Sequence, residues 1–328
     1  MVNMKNNPKD PLSFKRNFLP PVALAFLVFV GLVLYGDVSR IGPTLARFNW
    51  FLLPVILSLT LLDDLLRFVK WDYFLKVLGV DLPWKDSAAV FFGGLAMAIT
   101  PGKVGELFKS YLVKNLTGEV MSKTTPVVMV ERFTDLLAVT LLASVGVAYF
   151  QYGAIALIVV AVFSLGLILV IQHRDFPLWL IDKLEYLPII GNYGDSVRNF
   201  YENSYRLLRL PRLVIAVSVS IFSWGSECVA MYLIFSGLGV EQSFLLSTFI
   251  FTFSSVMGAV SMLPGGLGVA EGSMTGIMVA VAGLSNSIAV AATLLIRLST
   301  LWFAVFIGLT TLFVNRERLG LSSFRVGL

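Results

Sequence analysis

Two glutamate–arginine pairs at equal spacing are the residues of this chain best suited to chemistry. Glu106 precedes Arg132 by 26 positions, and Glu271 precedes Arg297 by the same 26 positions. A charge at the centre of a bilayer costs at least about 2.5–3.5 kcal/mol, so these side chains need partners. They are either structural ion pairs or the lining of a cavity where arginine binds an anionic headgroup, and the two accounts are compatible. In such a cavity the glutamates would compete for the arginines or carry a proton.

Further polar residues extend the two pairs. Lys103 is expected to line a cytoplasmic entrance, whereas Lys109 is expected to snorkel to the interface. Glu131 and Asp135 are four residues apart and share a helix face, where they form either a cation or proton site or partners for Arg132. A second polar patch is predicted from Asp63, Asp64, Arg67 and Glu227.

The composition identifies an integral membrane protein. Of 328 residues, 57% are hydrophobic and only 14% charged, with a mean hydropathy of +0.84, against about a quarter charged in soluble domains. One cysteine, Cys228, excludes an intrachain disulfide, and one histidine, His173, argues against a His-based metal site. We therefore expect no metal and no cofactor. The net charge of +5 is typical of basic cytoplasmic loops rather than of nucleic-acid binding.

The apolar segments set the number of membrane crossings. The first, after a basic N-terminus, is long enough to be a retained helix rather than a cleaved signal. A segment at about 174–210 mixes charged and aromatic residues at helical spacing and is predicted to form interfacial helices. The apolar runs are 18–36, 50–78, 86–100, 126–150, 153–171, 211–238, 244–263 and 287–313.

Charge distribution reduces these eight runs to six spans. Lysines and arginines fall in five clusters, two of them within residues 67–85 and 103–123. A full crossing by 86–116 would place the second of these outside, against the positive-inside rule. A hairpin that enters from the cytoplasm, turns at Pro101-Gly102 and returns places all five clusters in the cytoplasm. Both termini are then cytoplasmic.

The second half repeats this pattern from the other side. Residues 244–282 contain no lysine or arginine and are predicted to form a hairpin that enters from outside. Three spans separate the starts of the repeats, about 50–150 and 211–313, and an odd number inverts them. Inverted repeats with broken helices are typical of secondary transporters. The predicted hairpin-tip residues are Pro101, Gly102, Gly105, Pro264, Gly265, Gly266 and Gly268.

The predicted fold is an all-α polytopic membrane protein, an inverted repeat of six spanning helices and two re-entrant helical hairpins. Residues 18–315 form one transmembrane domain, between cytoplasmic tails at 1–17 and 316–328. The expected location is the cell membrane.

Several motifs resemble the transmembrane region of lysylphosphatidylglycerol synthases and their stand-alone relatives. They are Arg67-Phe-Val-Lys-Trp71 with Leu78-Gly79, Thr100-Pro-Gly-Lys-Val-Gly-Glu106, Val130-Glu-Arg-Phe-Thr-Asp135, and Leu263-Pro-Gly-Gly-Leu-Gly-Val-Ala-Glu271 with Arg297. The resemblance covers roughly residues 20–315 and implies a lipid flippase. The soluble aminoacyl-transferase domain of full-length synthases is missing, so we do not expect lysyl-lipid synthesis by this chain alone.

We therefore expect a flippase or transporter that moves an anionic or aminoacylated phospholipid, or a polyprenyl-phosphate lipid, through a midplane cavity. One alternative is a membrane lipid phosphatase or transferase that uses Glu106, Glu131 and Asp135 for acid–base or metal chemistry. Another is a non-transporting membrane partner of a lipid-modifying enzyme. The sequence favours a transporter over an enzyme, with a membrane lipid as substrate. It leaves open a homodimer and a lipid-synthase partner.

Overall fold

The described part of the chain is helical throughout. The computed structural model describes residues 14–100, 105–150, 154–174, 177–179, 183 and 194–321. Within these ranges there is no β-strand, which confirms the prediction of an all-α membrane protein. The helices are α1 (Phe14–Tyr35), α2 (Val38–Ala46), α3 (Leu53–Val77), α4 (Trp84–Leu95), α5 (Phe108–Thr117), α6 (Met121–Phe150), α7 (Ala154–Gln172), α8 (Gly194–Leu207), α9 (Leu210–Gly237), α10 (Phe244–Val260), α11 (Val269–Ala280), α12 (Asn286–Arg297) and α13 (Phe303–Val314).

Six long helical segments lie where the six spans are predicted, and the crossing of the membrane by all six stays a prediction. Three of them, α7, α9 and the continuous segment Asn286–Val314, are long and apolar enough to cross a membrane, and the bent pair α1–α2 adds a fourth if it is one span. α3 and α6 have 25 and 30 residues, or about 38 and 45 Å at 1.5 Å per residue. They carry most of the buried charges described below, which is why hydropathy alone ranks them low.

The first predicted span, residues 18–36, lies almost entirely within α1, and the chain bends sharply just after it. α1 ends at Tyr35, and α2 follows at an angle of 94°. Asp37 turns the chain with a positive φ of 67° and accepts a hydrogen bond from the Ser39 N–H as the N-cap of α2. A Cβ at Gly36 would lie 2.9 Å from Val290 Cβ, so this turn packs closely on α12.

Two pairs of short helices lie where the hairpins are predicted. α4 and α5 contain 12 and 10 residues, and α10 and α11 contain 17 and 12. At about 15–26 Å, all four are shorter than a hydrocarbon core of about 30 Å. The members of each pair pack against each other. Their entry into the membrane from opposite sides stays a prediction.

The break between α10 and α11 has the predicted glycine-dependent turn. A 3₁₀ turn spans Pro264–Gly266, and Gly265, Gly266 and Gly268 all have positive φ. A Cβ at Gly266 would meet the backbone of Gly258 at 3.0 Å, so no larger residue fits there without a shift.

The first hairpin tip is described only in part. The predicted tip residues Pro101 and Gly102, and the entrance residue Lys103, lie outside the described residues. Gly105 donates its N–H to the Thr100 hydroxyl at 2.9 Å. Its ideal Cβ would lie 2.5 Å from the Thr100 side chain, so the close approach requires glycine.

The two halves of the chain interlock. α3 of the first half packs along α9 of the second, α6 packs on α10, and α4 packs on α13. At the α4–α13 contact the two backbones approach each other directly, since a Cβ at Gly308 would lie 2.1 Å from the Ala96 nitrogen. Each hairpin therefore rests on the last long segment of the other half.

Each hairpin is surrounded by its own apolar core. The first core contains Trp71, Phe74, Phe91 and Leu112, and the second contains Ile234, Phe249, Ile250 and Met278.

α8 belongs to the segment predicted to be interfacial, about 174–210. It packs on α6, α3 and α7. Its Tyr201 hydroxyl donates to the Ile171 carbonyl at 3.1 Å, at the end of α7. Most of the chain between Arg174 and Gly194 lies outside the described residues.

Candidate functional site

Eight charged side chains form one buried cluster between α3, α5, α6 and the residues just before α5. We call it the first ion cluster. Its carboxylates are at most 5% exposed and its two lysines 2%. Four positive charges balance four negative ones. The members are Asp63, Glu106, Glu131, Asp135, Arg67, Lys70, Lys109 and Arg132.

Arg132 lies at the centre of the predicted pair and contacts three carboxylates. Its Nε is 3.2 Å from Glu106, its Nη2 is 3.3 Å from Asp135, and Nη2 also donates to Glu131. Glu106 therefore pairs with Arg132 of its own half rather than with Arg297 of the other half. Nε and Nη1 of Arg132 are buried and make no hydrogen bond to any described group. The guanidinium therefore keeps donors for a further acceptor.

Arg67 joins the predicted second polar patch to this cluster. It lies 3.5 Å from Asp63, 3.8 Å from Glu131 and 3.7 Å from Asp135. These distances are at the long end of ion pairing, and its buried Nε has no hydrogen-bond partner among the described residues. The Asp63–Arg67 part of the predicted patch thus belongs to the same cluster, and Arg67 is the more loosely held of its two arginines.

The predicted patch contains the cluster members Asp63 and Arg67 together with Asp64 and Glu227, which are also buried. The Asp63 carboxylate accepts a hydrogen bond from Ser223 of α9. Glu227, one turn further along α9, is 8% exposed. Asp64 is 1% exposed.

Two lysines of the cluster were missed by sequence reasoning. Lys70 Nζ lies 2.5 Å from Asp135 and also donates to Ser220 at 2.6 Å and Thr134 at 3.2 Å. It falls within the basic cluster at 67–85 that was predicted to be cytoplasmic. Lys70 is instead buried, and its ammonium group binds three oxygen acceptors inside the protein. Its spacing of three from Arg67 on one helix face was the available signal.

Lys109 does not snorkel to the interface as expected. Its Nζ lies 2.8 Å from Glu131 and 3.6 Å from Glu106, and sits 4.9 Å from the Trp71 and Phe91 ring centroids. Two carboxylates and two aromatic faces surround the buried ammonium and offset its loss of hydration. Gly94 makes room for its stem, because a Cβ there would lie 2.3 Å from Lys109 Cγ.

The second predicted pair, Glu271 and Arg297, is smaller and fully engaged. Arg297 Nε lies 2.6 Å from Glu271, and Arg297 Nη2 donates to the Gly265 carbonyl at 2.7 Å. The other Glu271 oxygen accepts the Gly268 N–H at 2.7 Å. The pair therefore fixes the hairpin turn, and its carboxylate is completely buried.

The helix around Arg297 is irregular. A five-residue π-helical segment, Leu298–Trp302, follows it directly and joins α12 to α13, whereas Arg132 lies inside a continuous α-helix. Single-turn π segments occur often at functional sites.

The π segment also borders an apolar groove of about 500 Å³ between α1, α2 and α12. Its lining includes Phe26, Phe29, Leu45, Leu294, Leu298 and Trp302. We call it the apolar groove.

The carboxylates of the cluster face cations rather than one another. Among the described residues, no group of three His, Cys, Asp or Glu side chains is arranged to hold a metal ion. Glu131 and Asp135 instead face cations: Lys109, Arg132 and Arg67 surround the first, and Lys70, Arg132 and Arg67 surround the second.

Comparison with known proteins gives a consistent result. The family profile described as the lysylphosphatidylglycerol synthase TM region matches residues 22–308. A UPF0104 membrane protein of Methanothermobacter thermautotrophicus is 25% identical over 312 residues, covering 87% of this chain and 90% of its own length. Another from Pyrococcus horikoshii is 26% identical over 332 residues, covering 92% and 99%. The resemblance inferred from the motifs is confirmed.

Proposed function

Because the chain belongs to the lysylphosphatidylglycerol synthase transmembrane-region family, we propose that it moves an anionic lipid headgroup across the membrane. The lipid is a phospholipid, aminoacylated or not, or a polyprenyl phosphate. The observation that carries this proposal is the pair of incompletely bonded arginines, Arg67 and Arg132, in a buried cluster.

Arginine is suited to this task by geometry. Its planar guanidinium binds a phosphate through two parallel hydrogen bonds. In the first ion cluster both arginines lie near Glu131 and Asp135, with distances of 3.3–3.8 Å for three of the four contacts. A phosphate can displace these carboxylates because the lysines remain to compensate them: Lys109 lies 2.8 Å from Glu131 and Lys70 lies 2.5 Å from Asp135.

The hydrocarbon chain of the lipid would lie in the apolar groove. The apolar groove runs beside the π segment that follows Arg297. α1, which contributes Phe26 and Phe29 to the groove, also approaches the second hairpin turn through Val28, since an added Cβ at Gly268 would lie 3.6 Å from it. A chain in the groove would keep its apolar carbons beside the turn that Glu271 and Arg297 fix.

We also propose that the two halves form an inverted repeat in the cell membrane and that both termini are cytoplasmic. The order of elements supports it, since long α3, short α4 and α5, and long α6 are matched by α9, α10, α11 and α12–α13. Three long segments, α3, α6 and α7, precede α9, and this odd number would invert the second set.

A reconstituted transport assay tests the function. Purified protein in liposomes would move fluorescent phosphatidylglycerol, whose inner-leaflet fraction is measured by external chemical quenching. We expect Arg132→Gln to slow transport at least tenfold, equivalent to about 1.4 kcal/mol, and Arg132→Lys to recover only part of the rate. Arg40→Gln is the matched control, because Arg40 is exposed and pairs with Asp37 outside the cluster.

Two results would reject the proposal. One is equal transport by wild type and Arg132→Gln when both variants are shown to be folded by thermal melting. The other is release of phosphate from a polyprenyl pyrophosphate by the purified protein, abolished in Glu106→Gln, which would identify an enzyme instead.

A further inference from the structure

Asp64 is the carboxylate that the first ion cluster leaves uncompensated. Its side chain is 1% exposed, and its buried Oδ2 makes no hydrogen bond to any described group. Its neighbour Asp63 has Arg67 at 3.5 Å and the Ser223 hydroxyl. Asp72, on the same helix, has Lys76 at 2.7 Å and the Ser87 hydroxyl at 2.8 Å. Three aspartates on α3 are thus buried, and of these Asp64 alone has no partner among the described residues.

The charges that face Asp64 are already engaged with each other. On its own helix they are Asp63 and Arg67, and on α6 they are Glu131 and Arg132. Asp135 of α6 and Lys109 and Glu106 of the first hairpin belong to the same ion cluster, and Glu227 of α9 is also buried. Within the linked cluster four cations balance four carboxylates, so an ionised Asp64 would be an excess negative charge.

Protonation removes this excess. An unpaired carboxylate in a dry interior costs several kcal/mol, and such a group becomes neutral instead. Two neighbouring carboxylates, Asp63 and Glu131, add repulsion. We propose that Asp64 holds an exchangeable proton, and that this proton is thermodynamically coupled to binding of the anionic headgroup by Arg67 and Arg132.

The sign of the coupling follows from charge. A bound phosphate adds negative charge beside Asp64 and occupies the two arginines that would stabilise its ionised form. Headgroup binding therefore favours the protonated carboxyl group, and protonation of Asp64 strengthens headgroup binding by the same factor. The coupling rests on the proposed function, whereas the proton site itself does not.

Infrared spectroscopy tests the proton site without any transport. Purified protein in phosphatidylcholine nanodiscs would be titrated with pH while the C=O stretch of protonated carboxyl groups is recorded. We expect a component of this band that Asp64→Asn abolishes and that Asp72→Asn, the paired control, leaves in place. Asp64→Glu should retain the component with a changed titration midpoint. Identical titrations of wild type and folded Asp64→Asn would overturn the proton site.

Lipid composition tests the coupling separately. Replacing part of the phosphatidylcholine by phosphatidylglycerol should move the Asp64 midpoint to higher pH in wild type, and should not do so in Arg67→Gln/Arg132→Gln. An unchanged midpoint in wild type would overturn the coupling. If the band behaves as expected but the liposome assay shows no transport, the proton site stands and the proposed function fails.

Discussion

Lys109 Nζ lies 2.8 Å from Glu131 Oε2, although 22 positions separate the two residues and they belong to different helices. The contact joins the return arm of the first hairpin to the long helix α6. Both side chains are almost completely buried. The hairpin is therefore held in place by an ion pair at the centre of the candidate site.

Removing the lysine charge should destabilise the protein strongly. Lys109→Met leaves Glu131 and Glu106 with less compensation, and breaking a buried pair costs about 3–5 kcal/mol. Thermal melting in detergent should show a lower midpoint than for Lys114→Met, a substitution at an exposed lysine on the same helix. Equal melting of the two variants would show that the pair contributes no net stability.

Gly94→Ala should act through the same lysine. The added Cβ would lie 2.3 Å from Lys109 Cγ, and such overpacking costs about 1–3 kcal/mol. Gly276→Ala is the control, because a Cβ there meets nothing within 4 Å. In the Lys109→Ala background the cost at Gly94 should largely disappear, as measured by a double-mutant cycle of melting midpoints.

Glu271 and Arg297 should behave as one unit. Each single substitution to alanine leaves a buried opposite charge, so Glu271→Ala and Arg297→Ala should each destabilise more than half as much as the double variant. The coupling energy should be about 0.5–3 kcal/mol. Strict additivity of the two single effects would mean that the 2.6 Å contact has no energetic consequence.

Two asparagines test the predicted topology. Asn115, near the end of α5, and Asn286, at the start of α12, are exposed and follow the two hairpins. In intact cells a membrane-impermeant thiol reagent should label Asn286→Cys but not Asn115→Cys, while inverted vesicles should give the opposite result. Cys228 is buried and supplies the background. Labelling of both from one side would contradict the inversion.

The local pairings could be predicted from sequence because they depend on short loops and fixed spacing. Glu271 and Arg297 are joined by a helix, a turn and another helix of ordinary length, so equal spacing implied equal contacts. The three glycines at 265, 266 and 268 likewise predicted their own turn. Family motifs added the membrane class.

Packing between distant segments could not be predicted in this way. In the sequence, Lys70 looks like a lysine at the membrane surface, because it lies among other basic residues. Its acceptors Asp135 and Ser220 belong to α6 and α9, and only the packing of these helices brings them to it. The bend at Asp37 comes directly after the apolar run 18–36, and hydropathy carries no information on the direction of the helix that follows. The inclusion of Asp63 and Arg67 in the first ion cluster likewise depends on how α3 crosses α6.

The interlocked halves have a mechanical consequence. Gly308 approaches the Ala96 backbone so closely that no methyl group fits between them, and α6 packs on α10. A tilt of one half would therefore have to move the opposite hairpin as well or break these contacts. If the halves do tilt, we expect the two hairpins to move together.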